Sequence, residues 1–375
     1  MRVVHLMKVV GIAGAERHLI TLLGGLRENG IDARIIVLVT PDKPMQDYIQ
    51  ALGERGIPAE TIVIRHHADV RLIQRLRDKL LELKPDILHT HLIHADLYGT
   101  LAARWAGVPV VISSRHNDDA FRYRKPVRLF NRWLWGKTDA GIAISDAIAR
   151  FSIAVEGAKP EQIQRVHYGI DISQAPRDRT AAKRSLQAEL KLPLDSIFVG
   201  MVCRLIEQKG VRYGLEAFTG IANEYPAAHL LVVGDGLQRA ELEAQAKAAG
   251  MMGRIHFLGW RKDAAALMAG LDILLAPSLW EGFGLVLLEA MAQQTAIISS
   301  DVSAIPEVVI HRETGILLPP RDVEGLKAAL RELLKDAALR QHMGMMGRDR
   351  LESTFNAARM VKETIAFYHT VTDGI

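Results

Sequence analysis

Glu281 and Glu289 stand eight positions apart in WEGFGLVLLEAM (280–291), the first just before a Gly-Phe-Gly turn and the second inside an apolar run. A buried carboxylate costs several kcal/mol unless something pairs with it. If Gly282-Phe283-Gly284 opens a helix, the unpaired amides at its start and the positive end of its dipole can receive phosphate oxygens. At the helical rise, Glu289 then lies about 9 Å beyond Phe283 along the axis. That suits a carboxylate on ribose hydroxyls with a diphosphate at the helix start. The same spacing is also met by an inward glutamate paired with a structural arginine. Glu281, in the preceding loop, faces the group attached beyond the phosphates.

Arg204 and Lys209, in CRLIEQKG, close an apolar run beside Gly210. There a planar guanidinium fork and an ammonium point charge can neutralise a diphosphate, although two surface cations are commonly just surface. Gly11 and Gly14, in VVGIAGAERHL, precede a helix expected to open near Ala15, and Gly234 and Gly236 end the run VVGDG. Glycines at such turns admit close backbone approach to a ligand, or merely turn the chain. G-x-x-G-A-E is not the dinucleotide fingerprint, which needs G-x-G-x-x-G. His89, His91 and His94 in HTHLIHAD have spacings that resemble a metal set, but they read better as lining of an acceptor site. The single cysteine, Cys203, excludes an internal disulfide, fits a reducing compartment and reads as a small apolar residue of a buried strand.

The elements that must position these groups alternate. MRVVHLM, ARIIVLV, ETIVI, DILHTH, PVVISS and AGIAIS read as strands, with amphipathic helices such as ERHLITLLGGLRENG and LIQRLRDKLLELK between them. The grammar restarts near residue 197 with SIFVGMVCRL, AHLLVVGD, RIHFLG, DILLAPS and TAIISS. This is the α/β pattern of two doubly wound Rossmann-like domains, whose ligands bind at the carboxyl ends of the strands. The expected domains are 1–180 and 181–355, joined through the polar segment DISQAPRDRTAAKRSLQAELKLPLD, with a terminal helix at about 356–375 crossing back to the first. His5 and Lys8 interrupt the apolar start, so it reads as a first strand and not as a signal peptide. No apolar run reaches the roughly 18 residues of a membrane span. The formal charge of +4 is uneven: residues 1–180 hold 26 Lys and Arg against 20 Asp and Glu, the remainder 21 against 23. This excess is too modest to imply a nucleic-acid partner.

The chain resembles the retaining glycosyltransferases of family 4, which have the GT-B fold, over nearly its whole length. The resemblance rests on ordered motifs: DILHTH, ISSRHN, AISDAI, HYGID (167–171), GMVCRLIEQKG, VVGDG, HFLGW (256–260), EGFGLVLLE, AIPEVV and TGILLPP. The E-x7-E element is the most specific of them. The resemblance implies that the two domains face a central cleft that closes on the donor. The second domain binds a nucleotide-diphospho-sugar and the first supplies most of the acceptor site. It implies that Arg204 and Lys209 hold the diphosphate, that Glu289 binds ribose, and that Glu281 with the amides of Phe283 and Gly284, and Leu285 beside them, contacts sugar and phosphate. It also implies that His116 contacts the donor sugar near the reaction centre, and that Gly14, Gly234 and Gly236 bring backbone to the donor. Many relatives carry Gly-Gly where this chain has Ala13-Gly14, which weakens a claim for close approach at residue 13.

No Asp-x-Asp triplet occurs, so no metal is needed to explain diphosphate stabilisation, and no separate cofactor is expected. The resemblance implies same-face substitution, with Glu281 as a covalent nucleophile the less favoured course. Nothing fixes the base; a UDP-sugar is preferred over a GDP-sugar. The acceptor is expected to be a saccharide or lipid-linked saccharide of cell-envelope polysaccharide, capsule or lipopolysaccharide synthesis. FRYRKPVRLFNRWLWGK (121–137) mixes basic and aromatic residues, which suits a helix resting on anionic lipid or one lining a cleft. The place of action is expected to be the cytoplasm, peripheral to the inner face of the cytoplasmic membrane. The alternatives are a GT-B-like sugar-nucleotide epimerase, a transferase to a small soluble metabolite, and a non-catalytic nucleotide-binding scaffold.

Overall fold

The computed structural model describes residues 1–65, 69–174 and 178–374. The chain forms two compact units, Met1–Ile170 with Asn356–Ile375, and Asp171–Phe355.

The first unit is built on strands β1 (Arg2–Lys8), β2 (Asp32–Val39), β3 (Ala59–Val63), β4 (Ile87–His91), β5 (Val110–Arg115), β6 (Ala140–Ala143) and β7 (Ile163–Arg165). They form one parallel sheet in the order β3-β2-β1-β4-β5-β6-β7. Parallel sheets are covered on both faces, so their strands read as continuous apolar runs. Accordingly, Val3, Met7, Ile35 and Val37 belong to one buried cluster and Val4, Leu6, Ile36 and Leu38 to another. The order reverses between β1 and β4, and a ligand site is expected outside the carboxyl ends of strands at such a reversal.

The second unit repeats the plan with β8 (Ile197–Val202), β9 (Ala228–Val233), β10 (Ile255–Gly259), β11 (Ile273–Ala276), β12 (Ala296–Ser300) and β13 (Ile316–Leu318). Its parallel order is β10-β9-β8-β11-β12-β13, reversing between β8 and β11.

Two edge strands, β7 and β13, were not expected. Each has three residues, too few for a periodic signal. The boundary also falls at 170/171, before the expected 180. The reason is local: helix Arg179–Leu190 packs on the second unit, where Arg179 donates to the carbonyl of Leu271 at 2.9 Å and Lys183 pairs with Asp272 at 2.8 Å. The helix starts under Asp178, whose carboxylate accepts the Ala181 amide at 2.8 Å. Ala175, Pro176 and Arg177 of the polar segment lie outside the described residues. Helix Ala357–Asp373 belongs to the first unit, where its Val361 packs against helix Gly14–Glu28 at Gly25. A side chain at Gly25 would stand 2.5 Å from Val361, so only glycine admits that helix pair.

Candidate functional site

In the second unit the predicted donor residues gather beyond the carboxyl ends of β8 and β11. β8 ends at Val202, so Cys203 lies just past the strand and is half-buried, not within the strand as expected. Burial nonetheless pushes its thiol up to about 11, so it is no ready nucleophile. Arg204 follows, exposed, with no ion pair or side-chain hydrogen bond among the described residues. The next turn, Glu207–Lys209, is laced to the loop after β11: the Leu279 amide donates to the Gln208 carbonyl at 2.7 Å, and the Gln208 side chain donates to the Trp280 carbonyl at 3.1 Å. Across the same seam the Lys209 ammonium is ion-paired with the Glu281 carboxylate, both side chains largely enclosed. Two of the residues assigned to the sugar-phosphate therefore position each other.

Gly284, at φ 89°, caps helix Leu285–Ala292. A helix start leaves its first amides without intrahelical acceptors, and here those amides follow directly on Glu281. The Phe283 ring is buried and packs edge-on against Phe355 at 5.7 Å, so its side chain anchors the turn. Leu285 and Glu289 are half-buried on this helix. The glycine loop after β9 closes the third side. Gly234 has φ 131°, and a side chain there would meet the Cys203 carbonyl oxygen at 1.9 Å; at Gly236 it would meet the Leu205 carbonyl oxygen at 2.4 Å. These glycines thus let the β8 and β9 loops touch, as the Leu205 amide does by donating to the Asp235 carbonyl at 2.9 Å.

In the first unit Gly14 is the first residue of helix Gly14–Glu28. The Ala13 amide already donates to the Glu16 carboxylate at 3.0 Å, so residue 13 spends its N–H within its own helix. His116 follows β5 and is half-buried, and both its ring nitrogens are engaged: Nε2 with Nδ1 of His91 at 3.0 Å, and Nδ1 with the Tyr168 hydroxyl. Burial, with the Arg115 and Arg122 guanidiniums nearby, holds its imidazole down at about 3, a neutral ring. His91 and His89 are fully enclosed, so, against the expectation that they line an acceptor site, they line no open surface; β4 is a central strand covered on both faces. His94 is half-buried, 3.5 Å from the Lys8 ammonium. His5, His89 and His91 bring ligand-capable nitrogens within 4.8 Å of one another. Each of these nitrogens is already in a hydrogen bond, so a metal would have to break that network.

Residues 12–174 match the model of Glycosyltransferase Family 4, and residues 182–350 that of Glycosyl transferases group 1. Glycogen synthase of Mycobacterium tuberculosis (strain CDC 1551 / Oshkosh) is 30% identical over 301 residues, 78% of this chain and 70% of that one. The chain belongs to the family 4, group 1 glycosyltransferases. Phosphatidyl-myo-inositol mannosyltransferase of Mycobacterium leprae is a further relative, 27% identical and matched over 96% of this chain and 93% of its own. Among solved structures, Anabaena Alr3699/HepE in complex with UDP-glucose superposes with a TM-score of 0.85 at 20% identity, over 99% of this chain and 100% of that one. The two doubly wound units are those of the GT-B fold.

Within this glycosyltransferase the segment 121–137 splits by face. Phe121 and Tyr123 are exposed, and on helix Lys125–Trp135 so are Lys125, Arg128, Leu129, Arg132 and Trp133, while Asn131, Leu134 and Trp135 face inward. Arg122 departs from the all-basic surface reading, because it is buried in an ion pair with Glu156. Glu156 also pairs with Arg115 at 2.8 Å, and Arg115 pairs with Asp96 and lies over the Trp135 ring at 4.8 Å. This enclosed network fixes the segment to the β5 end that carries His116. Sequence reasoning passed over Tyr168, Tyr368, His5 and His18, which crowd the same end. Tyr168 stood in the quoted HYGID motif, but Tyr368 looked like any aromatic of an amphipathic helix.

Proposed function

We propose that this glycosyltransferase moves a sugar, with retention of configuration, from a nucleotide-diphospho-sugar, a UDP-sugar in preference to a GDP-sugar, to a saccharide or lipid-linked saccharide. The observation that carries the reading is the convergence of Arg204, the Lys209–Glu281 pair and the start of helix Leu285–Ala292 at the β8/β11 reversal. Arg204 and Lys209 hold the diphosphate, with the amides of Phe283 and Gly284, and Leu285 beside them. Glu289 takes the ribose hydroxyls, and Gly234 and Gly236, by letting the β8 and β9 loops touch, bring backbone to the donor. In the reaction the bond from the anomeric carbon to the diphosphate oxygen breaks, while the acceptor oxygen bonds to that carbon on the same face and gives its proton to the departing phosphate. The developing charge falls where Arg204, the ion-paired Lys209 and a helix N-terminus meet, so no metal is required. Glu281, committed to Lys209, is poorly placed to attack the sugar, which favours same-face substitution over a covalent intermediate. His116 takes the role of the histidine that contacts the donor sugar, and Gly14 brings backbone to the phosphate or acceptor.

An acceptor at a membrane is supported by the outward face of helix Lys125–Trp135, where Leu129 and Trp133 stand among Lys125, Arg128 and Arg132. Apolar side chains ringed by cations suit the headgroup level of an anionic bilayer. Among the described residues no helix is long and apolar enough to cross a membrane, so contact with the inner face of the cytoplasmic membrane would be peripheral. Envelope polysaccharide, capsule or lipopolysaccharide assembly supplies acceptors of that kind.

The deciding experiment measures thermal stabilisation of the wild type and of Glu289→Ala by UDP, GDP, ADP and dTDP in the presence of a chelator. Stabilisation of the wild type by one nucleotide, lost or much reduced in the variant, supports the donor site and names its base. Indifference of both proteins to all four overturns it.

A further inference from the structure

The rings around His116 form one chain of hydrogen bonds. From the Tyr168 hydroxyl it runs to Nδ1 of His116, from Nε2 of His116 to Nδ1 of His91 at 3.0 Å, and from Nε2 of His91 to Nδ1 of His5 at 2.9 Å. It continues from Nε2 of His5 to the Tyr368 hydroxyl at 3.3 Å, from that hydroxyl to Nδ1 of His89 at 2.7 Å, and from Nε2 of His89 to the Ser114 hydroxyl at 2.7 Å. The register explains the meeting: His5 lies directly beside His89 on paired strands β1 and β4, and His91 beside Ser114 on β4 and β5. His5, His89, His91 and Tyr368 are fully enclosed. Burial keeps the imidazoles neutral, His5 down at about 3 and His89 and His91 well below their ordinary value.

A neutral imidazole donates at one nitrogen and accepts at the other, and a hydroxyl donates once. Links of that kind in series can be satisfied together in only two ways, with every ring protonated at Nε2 or every ring protonated at Nδ1. Opposite tautomers among His116, His91 and His5 set two donors or two acceptors face to face, and a switch at Tyr368, whose oxygen accepts twice but donates once, leaves its O–H or a ring nitrogen without a partner; either costs the desolvation of an orphaned group in an enclosed site.

We propose that these residues are a single-direction chain and that Tyr368, on the C-terminal helix, is a positioning residue that selects, through His5 and His91, which nitrogen of His116 carries the proton. Its value for sugar transfer rests on the reading of His116 as the donor-sugar contact. A sugar hydroxyl arriving at His116 Nδ1 in place of Tyr168 would find a donor or an acceptor there according to the state of the whole chain.

The test is nitrogen-15 NMR of the full-length protein with labelled histidine, in the wild type, Tyr368→Phe, His91→Phe and the double variant. In the wild type, the His116, His91, His5 and His89 resonances should all report neutral rings of one common tautomer between pH 6.5 and 8. Tyr368→Phe, which deletes only the hydroxyl, should shift or split the His116 resonances, and that effect should vanish in the His91→Phe background. Opposite tautomers among the four wild-type rings overturn the proposal even if a variant fails to fold, as does a His116 signal indifferent to Tyr368→Phe. The readout is independent of turnover. Loss of nucleotide-sugar binding or activity in His116→Ala tests the sugar-contact reading by itself, and that reading can fail while the tautomer result stands.

Discussion

The Lys209 ammonium is ion-paired with the Glu281 carboxylate across the seam between the loop after β8 and the loop after β11. The side chains are only 15% and 14% exposed, so deletion of either partner leaves the other poorly solvated. Lys209→Ala and Glu281→Ala are each expected to destabilise the protein by about 2 kcal/mol, somewhat less than a fully buried pair. The double variant should cost clearly less than the sum. Urea unfolding of the three variants measures this coupling, and strict additivity would show that the pair does not hold the seam.

Glu289→Ala should weaken UDP binding by about 30-fold, the loss expected from about 2 kcal/mol of hydrogen bonding to a charged group. Titration calorimetry gives the ratio directly. Unchanged affinity would return Glu289 to a structural role on helix Leu285–Ala292, where it is half-buried.

How much of this was legible beforehand differs between the two units. The donor side was readable because its chemistry sits on short contiguous stretches: a cation pair five residues apart and a turn followed by a helix, each at a strand end that apolar runs mark plainly. Its pairing of Lys209 with Glu281 joins loops that lie 72 positions apart, which no local pattern encodes. In the first unit the network depends on register, with His5 set beside His89 across strands, and on a helix from the other end of the chain that brings Tyr368 under them. A histidine inside a strand gives no periodic signal of that encounter. The ion network of Arg115, Asp96, Glu156 and Arg122 was hidden for the same reason, and it turned one cation of the basic segment inward.

The buried imidazoles make acid a specific denaturant. His5 and His116 are held at about 3, and His18, His89 and His91 well below their ordinary value, burial being the main cause in each. Unfolded histidines take up protons near pH 6.5, while the folded rings refuse them until far lower pH. The unfolded state therefore binds more protons below pH 6.5. Stability is fully present above that value and falls as pH drops toward 3, by about 2 kcal/mol at pH 5 for a ring held at about 3 such as His5 or His116. Urea midpoints at pH 7.5 and pH 5 should show this loss. His5→Phe should be less stable at pH 7.5, because it orphans His91 and Tyr368, but flatter with pH; an equally steep dependence would assign the effect to other groups.

The outward face of helix Lys125–Trp135 predicts lipid binding that needs both of its components. Leu129 is 59% exposed and Trp133 47%, one helical turn apart on the same face of the helix. Lys125, Arg128 and Arg132 flank them, so anionic headgroups would neutralise charge while the two apolar side chains enter the headgroup layer. The Arg122–Glu156 pair fixes the segment to its unit, so the face is presented without further ordering cost. Co-sedimentation with vesicles rich in phosphatidylglycerol should exceed that with neutral vesicles and fall with salt. Leu129→Ser with Trp133→Ser should cut it at least about tenfold, since each apolar side chain contributes on the order of 1–3 kcal/mol when it leaves water. Arg128→Glu with Arg132→Glu should abolish the preference for anionic lipid while leaving nucleotide stabilisation intact. Equal binding to neutral and anionic vesicles, or none to either, would turn the acceptor search toward soluble saccharides and leave the donor site untouched.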